Sequence, residues 1–265
     1  MEYGYWQKQD ATTPLFTDIE WSKPEQKSLR GKLGVIGGNK LGFAGVAESY
    51  STALQTGAGD VRVLLPDALR KTVPPVMTDV VFARSNPSGS LAREALGDMQ
   101  ALGAWSNGIL LCGDAGRNSE TAITYEDFLR THSGHVVITR DAVDLIRNSA
   151  TTTALRPHTT LVVSFAQLQK LFQLVYYPKI LTFSMQLLQL VEAVHKFTIS
   201  YPLTIVVLHH DTLVVANAGN VTTTTWHTPM AIWRGHTAAR AATYLLWTPA
   251  RPLEAITASL LSDRT

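Results

Sequence analysis

The sequence predicts an α/β protein in which helices flank a mostly parallel central sheet, and three observations lead to this prediction. Residues 32–66 show the pattern of a strand, a glycine turn, a helix and a second strand. Residues 108–116 repeat the first half of that pattern, because another apolar run ends in glycines. Residues 203–225 contain β-rich runs joined by short polar turns, which indicates a small antiparallel meander near the C-terminus. With 265 residues, 45% of them hydrophobic, the chain can bury a substantial core.

The first strand–helix–strand unit sets the architecture. Apolar residues 33–36 lead into Gly37-Gly38, which is typical of a buried strand that ends in a tight turn. Residues 43–56 place apolar side chains at helical spacing, and the following glycines favour the end of a helix. Residues 61–65 are the second strand. A unit of this kind has two parallel strands and a right-handed crossover.

The remaining elements follow along the chain. The patterns predict a helical lead-in over 17–21, a short helix over 67–72, a strand over 78–83, a helix over 91–102, a strand over 108–112, a helix over 121–132, strands over 136–139 and 161–164, helices over 166–175 and 184–196, strands over 203–208, 212–216 and 221–225, and helices over 235–246 and 253–261. No repeat, linker or low-complexity tract interrupts this order. We therefore expect one domain over residues 1–265.

Composition and charge argue against several kinds of partner. The net charge is +2 and no basic run is interleaved with aromatic residues, so we expect no nucleic-acid partner. The most apolar region, 161–194, is interrupted by Lys170, Pro178 and Lys179, so we expect no membrane span. Cys112 is the only cysteine, which excludes an internal disulfide and fits a reducing compartment. Because the first residues also lack the pattern of a signal peptide, we expect a cytoplasmic protein.

The two glycine turns are the candidate ligand-binding elements. A glycine turn before a helix leaves backbone N–H groups facing a concavity, which suits phosphate or another anion. Residues 37–42 (GGNKLG) lack the Gly-Lys-Ser/Thr of a P-loop and space their glycines differently from a dinucleotide-binding fingerprint. Residues 113–116 (GDAG) follow another strand. Because ligands bind beyond the carboxyl ends of such strands, the two turns together predict a cleft there.

The stretch IGGNKLGFAGVAESYSTALQTGAGDVRVLLP, residues 36–66, resembles the opening signature of the ADP/ATP-dependent NAD(P)H-hydrate dehydratases of the ribokinase-like superfamily. The matching positions are Gly37, Gly38, Gly45 and the Gly-Ala-Gly at 57–59. The resemblance implies a ribokinase-like three-layer sandwich that forms a homo-oligomer. It also implies NAD(P)H hydrate or a related dinucleotide as substrate. ADP or ATP is the implied cofactor if nucleotide binding is retained, with Mg²⁺ as a candidate companion ion.

The same resemblance assigns candidate cofactor-binding residues. They lie in the two glycine turns, at the start of the first long helix, at the turn where the family has Lys-Gly, and at the start of a late helix. In this sequence they are Gly37, Gly38, Asn39, Gly45, Val46, Gly113, Gly116, His209, His210 and Gly235.

The catalytic positions depart from the family pattern. Met230-Ala231 matches the family's Met-Ala, and the aspartate that acts there as a base falls on Thr237. A hydroxyl ionises too weakly to replace a carboxylate as base near neutral pH. His236 and Asp141 are the candidate substitutes, because each could accept a proton. The carboxylate of Asp114 in the second turn would repel a bound phosphate.

Three functions are compatible with these residues. The chain is a divergent relative with lost or strongly reduced catalysis that serves as a binding or assembly module, an active dehydratase that uses Asp141 or His236, or a small-molecule kinase of the same superfamily. No metal site is predicted, since no Cys, Asp or Glu stands at ligand spacing around the late histidines. We favour the first function because most residues that catalysis would need are replaced. Trp233 or Arg234 in the space for the phosphates would indicate a closed cleft.

Overall fold

A ten-stranded sheet forms the centre of the computed structural model, which describes residues 3–261. The strands are β1 (Trp6–Gln9), β2 (Lys32–Gly37), β3 (Asp60–Pro66), β4 (Val80–Ala83), β5 (Gly108–Gly113), β6 (His135–Thr139), β7 (Thr159–Val163), β8 (Leu203–His209), β9 (Thr212–Asn217) and β10 (Asn220–Thr225). Their order across the sheet is β1-β10-β9-β8-β7-β6-β5-β2-β3-β4. The seven consecutive strands β8-β7-β6-β5-β2-β3-β4 are parallel to one another, and β9 is antiparallel to β8 and β10.

Helices cover both faces of the sheet. They are α1 (Ala44–Thr56), α2 (Leu96–Trp105), α3 (Ser119–Thr131), α4 (Asp141–Leu145), α5 (Ala150–Leu155), α6 (Phe165–Leu174), α7 (Leu187–Ser200), α8 (Pro229–Arg234), α9 (His236–Trp247) and α10 (Pro252–Ser259). Short 3₁₀ helices span Thr17–Ser22, Lys27–Leu29, Asp67–Leu69, Arg93–Ala95 and Ile146–Ser149.

Two apolar cores lie on the two faces of the sheet. One core joins the strands to the buried sides of α2 to α7, and the other joins them to α1, α9 and α10. Successive residues of a strand point to opposite faces, so Leu161 and Val163 of β7 pack in the first core and Val162 packs in the second. Burial on both faces explains why these strands are continuous apolar runs rather than alternating ones.

The predicted α/β class, the parallel sheet and the antiparallel meander are confirmed. The helix predicted over 184–196 begins later, at Leu187, and continues to Ser200. Strand β1 and helices α4, α5 and α8 were not predicted. Strand β1 is only four residues long and pairs with β10, more than 200 residues away in sequence, so its own residues carry no periodic signal. Within residues 3–261, no helix is both long and apolar enough to cross a membrane.

Candidate functional site at the carboxyl edge of the sheet

The candidate site lies where the strand order reverses. The chain adds β3 and β4 on one side of β2, then returns to place β5 to β8 on the other side. In open parallel sheets, ligands bind at the carboxyl ends of the strands beside such a reversal. The glycine turns after β2 and β5 meet here, because the Gly38 N–H donates to the Gly113 carbonyl at 2.9 Å. A Cβ at Gly37 would overlap that same carbonyl oxygen, so the approach of the two turns requires glycine.

An internal carboxylate occupies the N-terminus of α1. The backbone N–H of Gly45, in the first turn of α1, donates to Asp114 Oδ2 at 2.6 Å. The residue before α1, Phe43, provides no side-chain cap, so Asp114 from the β5 turn supplies the acceptor instead. A carboxylate at this position is stabilised by the N–H groups and by the positive end of the helix dipole. The first predicted anion-binding element therefore holds an acid of the protein itself.

A second internal carboxylate accepts hydrogen bonds from the β5 turn. The Asp141 carboxylate accepts from the N–H of Asp114 at 2.7 Å and from the N–H of Ala115 at 3.1 Å, one to each oxygen. Burial raises the pKa of Asp141 above its ordinary value, and the nearby Asp114 charge acts in the same direction against the backbone hydrogen bonds. Gly113 is again required, because a Cβ there would overlap Asp141 Oδ1. Asp141 thus anchors the turn, and both of its oxygens are engaged.

Arg140 fills the space between the turns and α8. Its guanidinium forms an ion pair with Asp114 and donates to the carbonyl of Trp233. The guanidinium lies against the start of α1, because a Cβ at Gly45 would be 2.7 Å from Arg140 Cζ. The side chains of Arg140 and Asp114 are only 22% and 17% exposed. A Trp233 or Arg234 side chain in this space would have indicated a closed cleft. Both residues are exposed, and only the Trp233 carbonyl reaches it.

His236 ties α9 to α1 rather than facing the cleft as a free base. Its Nε2 pairs with the Glu48 carboxylate, and its Nδ1 lies 3.0 Å from Thr52 Oγ1. Both ring nitrogens are therefore engaged. Thr237, at the position of the family's aspartate, is 1% exposed, and its hydroxyl has no hydrogen-bond partner within residues 3–261. Gly235 begins α9 at φ +94°, a conformation that favours glycine, with Ser49 Oγ 2.7 Å from where its Cβ would be.

The remaining predicted binding residues have structural contacts. Asn39 donates to Ser90 Oγ at 2.6 Å and so holds the loop after β2, and Gly116 packs beside that amide. Val46 is fully buried in the core under α1. These three lie beside the glycine turns.

His209 and His210 lie apart from the glycine turns. His209 ends β8 and His210 follows it, three strands from β5. Neighbouring strands are about 4.8 Å apart, which gives a separation of roughly 14 Å. His209 Nε2 bonds the Met185 carbonyl at 2.9 Å, and burial lowers the pKa of His209. His210 is in the two-residue turn to β9 at φ +52°.

Two residues at the site escaped the sequence analysis. Arg140 follows β6 with no motif to single it out, and only the structure brings its guanidinium to Asp114. Glu48 lies on α1 and meets His236 across 188 positions of sequence, so no local spacing could reveal the pair. The negative charge of Asp114 was noted in the sequence, but its place at the start of α1 was not. Among the described residues, no group of three or more His, Cys, Asp or Glu side chains is placed to hold a metal ion.

The strand order defines an α/β protein with a switch point in its parallel sheet, and comparison with solved structures identifies the particular fold. A ribokinase-like superfamily protein from Enterococcus faecalis has a TM-score of 0.71 at 16% identity, over 98% of this chain and 87% of that chain. An ADP/ATP-dependent NAD(P)H-hydrate dehydratase from Bacillus subtilis, co-crystallised with ATP and Mg²⁺, has a TM-score of 0.63 at 14% identity, over 94% and 86%. A phosphomethylpyrimidine kinase from Clostridium difficile has a TM-score of 0.56 at 10% identity, over 87% and 97%.

The chain therefore has the ribokinase-like fold, as the resemblance of residues 36–66 implied. The predicted likeness to the dehydratases is confirmed at the level of structure, where they are among the similar chains. No protein-family model matches the sequence, and no curated protein matches it in sequence. At these low identities the likeness extends to the fold alone.

Proposed function

We propose that this chain is a divergent relative of the NAD(P)H-hydrate dehydratases in which catalysis is lost or strongly reduced, and that residues 1–265 act as a single-domain binding or subunit-assembly module. The observation that carries the proposal is the internal ion pair of Asp114 and Arg140 at the start of α1. This pair supports the proposal because it already engages the N–H at the start of α1 that a ligand phosphate could otherwise use.

The amides around the pair do not fit the phosphates of ADP or ATP. The N–H groups of Gly45, Asp114 and Ala115 each already donate to a carboxylate. A phosphate would have to displace Asp114 from both the Gly45 N–H and Arg140. Hydrogen bonds to charged groups contribute roughly 1.5–3 kcal/mol each, so displacing two costs about 3–6 kcal/mol. That cost corresponds to a loss of roughly 10² to 10⁴ in affinity.

The three candidate bases named from the sequence are buried or held in internal contacts, whereas the reaction requires a base that is free to reach the substrate. Dehydration through a phosphorylated hydroxyl needs a base within hydrogen-bond reach of that hydroxyl. Both oxygens of Asp141 and both ring nitrogens of His236 are engaged inside the protein. The Thr237 hydroxyl is buried and has no hydrogen-bond partner among residues 3–261. These contacts weigh against the two substitutes that an active enzyme would use.

The proposal extends to location and assembly. We infer a homo-oligomer in the cytoplasm, because the charge-poor C-terminal half is compatible with subunit contacts and the single cysteine is reduced and buried. A dinucleotide related to NAD(P)H hydrate is the ligand that such a module would retain, at reduced affinity. Size-exclusion chromatography with light scattering measures the assembly state directly, and a monomer at micromolar concentration would contradict this part.

The function is tested by turnover of hydrated NADH with ADP or ATP and Mg²⁺. We expect the natural chain to stay at the rate of the buffer control. The Thr237→Asp variant restores the family's carboxylate, and we expect it to stay near background as long as Asp114 blocks the phosphate position. The double variant Asp114→Gly/Thr237→Asp removes both obstacles and is the one in which activity should rise. Turnover by the natural chain well above background would refute the proposal.

A further inference from the structure

A separate apolar cavity lies on the other face of the sheet from α1 and α9. It is bounded by the chain from α4 to α5 on one side and by α6 on the other, with β7 beneath. Its volume is about 70 Å³. The floor consists of Ile146, Leu161, Val163 and Leu171, each less than 9% exposed. A cavity lined in this way offers too few polar partners to hold water well and favours an apolar group.

The rim of this cavity is polar and carries a net positive charge. Arg147 and Lys170 line it from opposite sides, and both are exposed. Neither forms a salt bridge within residues 3–261. The acid on the rim, Asp144, accepts a hydrogen bond from Gln167 Nε2 at 3.1 Å. Two cations and one acid therefore leave a charge of +1 above an apolar floor.

We propose that this cavity binds a small organic acid whose apolar part is a single ring or a short aliphatic chain. The apolar part enters between α4–α5 and α6, and the carboxylate stays at the rim beside Arg147 and Lys170. The volume sets the size, because pockets for drug-sized molecules have about 300–1,000 Å³ and a nucleotide would not enter this one. Charge complementarity sets the head group, since a free cation pair favours an anion over an alcohol of the same shape.

The binding is tested on the full chain by methyl NMR titration with benzoate and with benzyl alcohol. Ligands of this size reach dissociation constants on the order of 0.1–1 mM. We expect benzoate to shift the methyl signals of Ile146, Leu161 and Leu171 saturably, and benzyl alcohol to bind at least five-fold more weakly. Equal affinity for the two probes, no saturation at 20 mM benzoate, or shifts centred elsewhere would overturn the proposal.

Variants separate the head group from the cavity. The double variant Arg147→Gln/Lys170→Gln changes only exposed side chains, so it should fold normally and bind benzoate about five- to ten-fold more weakly, with benzyl alcohol unaffected. Lys196→Gln, an exposed lysine on α7, is the matched control and should leave both affinities unchanged. Ala150→Leu fills the cavity and should abolish both. Unchanged benzoate affinity in the Arg147→Gln/Lys170→Gln variant refutes the proposal even if Ala150→Leu fails to fold.

Discussion

Removing the charge of Asp114 should both weaken the fold and open the carboxyl edge to an anion. Asp114→Asn keeps an oxygen that can accept from the Gly45 N–H, but it leaves the Arg140 guanidinium without its carboxylate. Breaking a fully buried ion pair costs about 3–5 kcal/mol. The two side chains here are 17% and 22% exposed, so water can solvate part of the unpaired charge. We therefore expect a loss of about 2–3 kcal/mol in the free energy of unfolding.

In the Asp114→Asn variant, the unpaired Arg140 guanidinium should bind an anion from solution. Pyrophosphate is the probe, because it carries the phosphate groups of the implied cofactor without the base and sugar. A variant that binds it with a Kd of ~0.1 mM gains about 2.7 kcal/mol of stability at a concentration of ~10 mM. We expect the natural chain to gain less than about 0.5 kcal/mol, because Asp114 already holds the position. The assay is urea unfolding with and without pyrophosphate, at ionic strength matched with sodium chloride.

The matched control is Asp79→Asn, which removes the acid of the Arg62–Asp79 pair beside β3 and β4. That pair is more exposed, at 32% and 39%, so its loss should cost no more than about 1 kcal/mol and should create no response to pyrophosphate. Two results would refute the reasoning. One is a natural chain that pyrophosphate stabilises as much as the Asp114→Asn variant. The other is an Asp114→Asn variant that is as stable as the natural chain.

Three further predictions concern the glycine turn after β2, the buried Thr237 hydroxyl and the pH dependence of stability. Gly37→Ala should cost more than about 2 kcal/mol in urea unfolding, because its Cβ meets the Gly113 backbone, whereas Gly97→Ala, with open space around it on α2, should be neutral or stabilising. Thr237→Val should be neutral or stabilise by about 1 kcal/mol, since it removes a buried hydroxyl without a partner among the described residues, and a loss above 1 kcal/mol would contradict this. Burial, together with two nearby basic side chains, lowers the pKa of His135 to about 4. As the pH falls, the His135 imidazole is protonated in the unfolded chain before it is protonated in the folded chain. The free energy of unfolding should therefore fall by about 1–2 kcal/mol between pH 6.5 and pH 4. His135→Gln should make that fall smaller by this amount in unfolding curves at pH 7.5 and 4.5, and an unchanged pH dependence would show that His135 is not its source.

The sequence predicted the architecture because the signals for it are local. The apolar run before Gly37 and the helical spacing after it define β2 and α1 within 25 residues. The same holds for β5 and for the meander of β8, β9 and β10, each of which has its turn residues in place. Helix α8 was missed because it is a six-residue segment that begins at Pro229 and is too short to show a helical period.

The site was predicted only in part because its contacts are not local. The positions of Gly37, Gly38, Gly45 and Gly113 follow from the turns, and the structure brings them together. The partner of Asp114 is 26 residues away on another strand end, and the partner of His236 is on a helix 188 residues away. A charge in a glycine turn suggests repulsion of phosphate, but only the fold shows whether that charge is neutralised internally. The histidines at the end of β8 lie three strands from the glycine turns, so their assignment to a nucleotide contact stays a prediction.

The backbone conformation of Asp114 and Arg140 indicates that their side-chain contacts stabilise the fold. Asp114 has φ +53° and Arg140 has φ +57° with ψ −140°, a region that glycine adopts freely and other residues seldom do. Each such residue costs on the order of 1–3 kcal/mol of strain, and glycine at either position would relieve it. The fold tolerates this strain only if the side-chain contacts contribute more free energy than the strain costs. Those contacts are the ion pair, the cap on α1 and the hydrogen bond to the Trp233 carbonyl. Asp114→Gly should therefore be less destabilising than Asp114→Asn, because glycine removes the same charge but also removes the strain. If Asp114→Gly is less stable than Asp114→Asn, the stabilisation by Asp114 comes from the cap on α1 and not from the pair with Arg140.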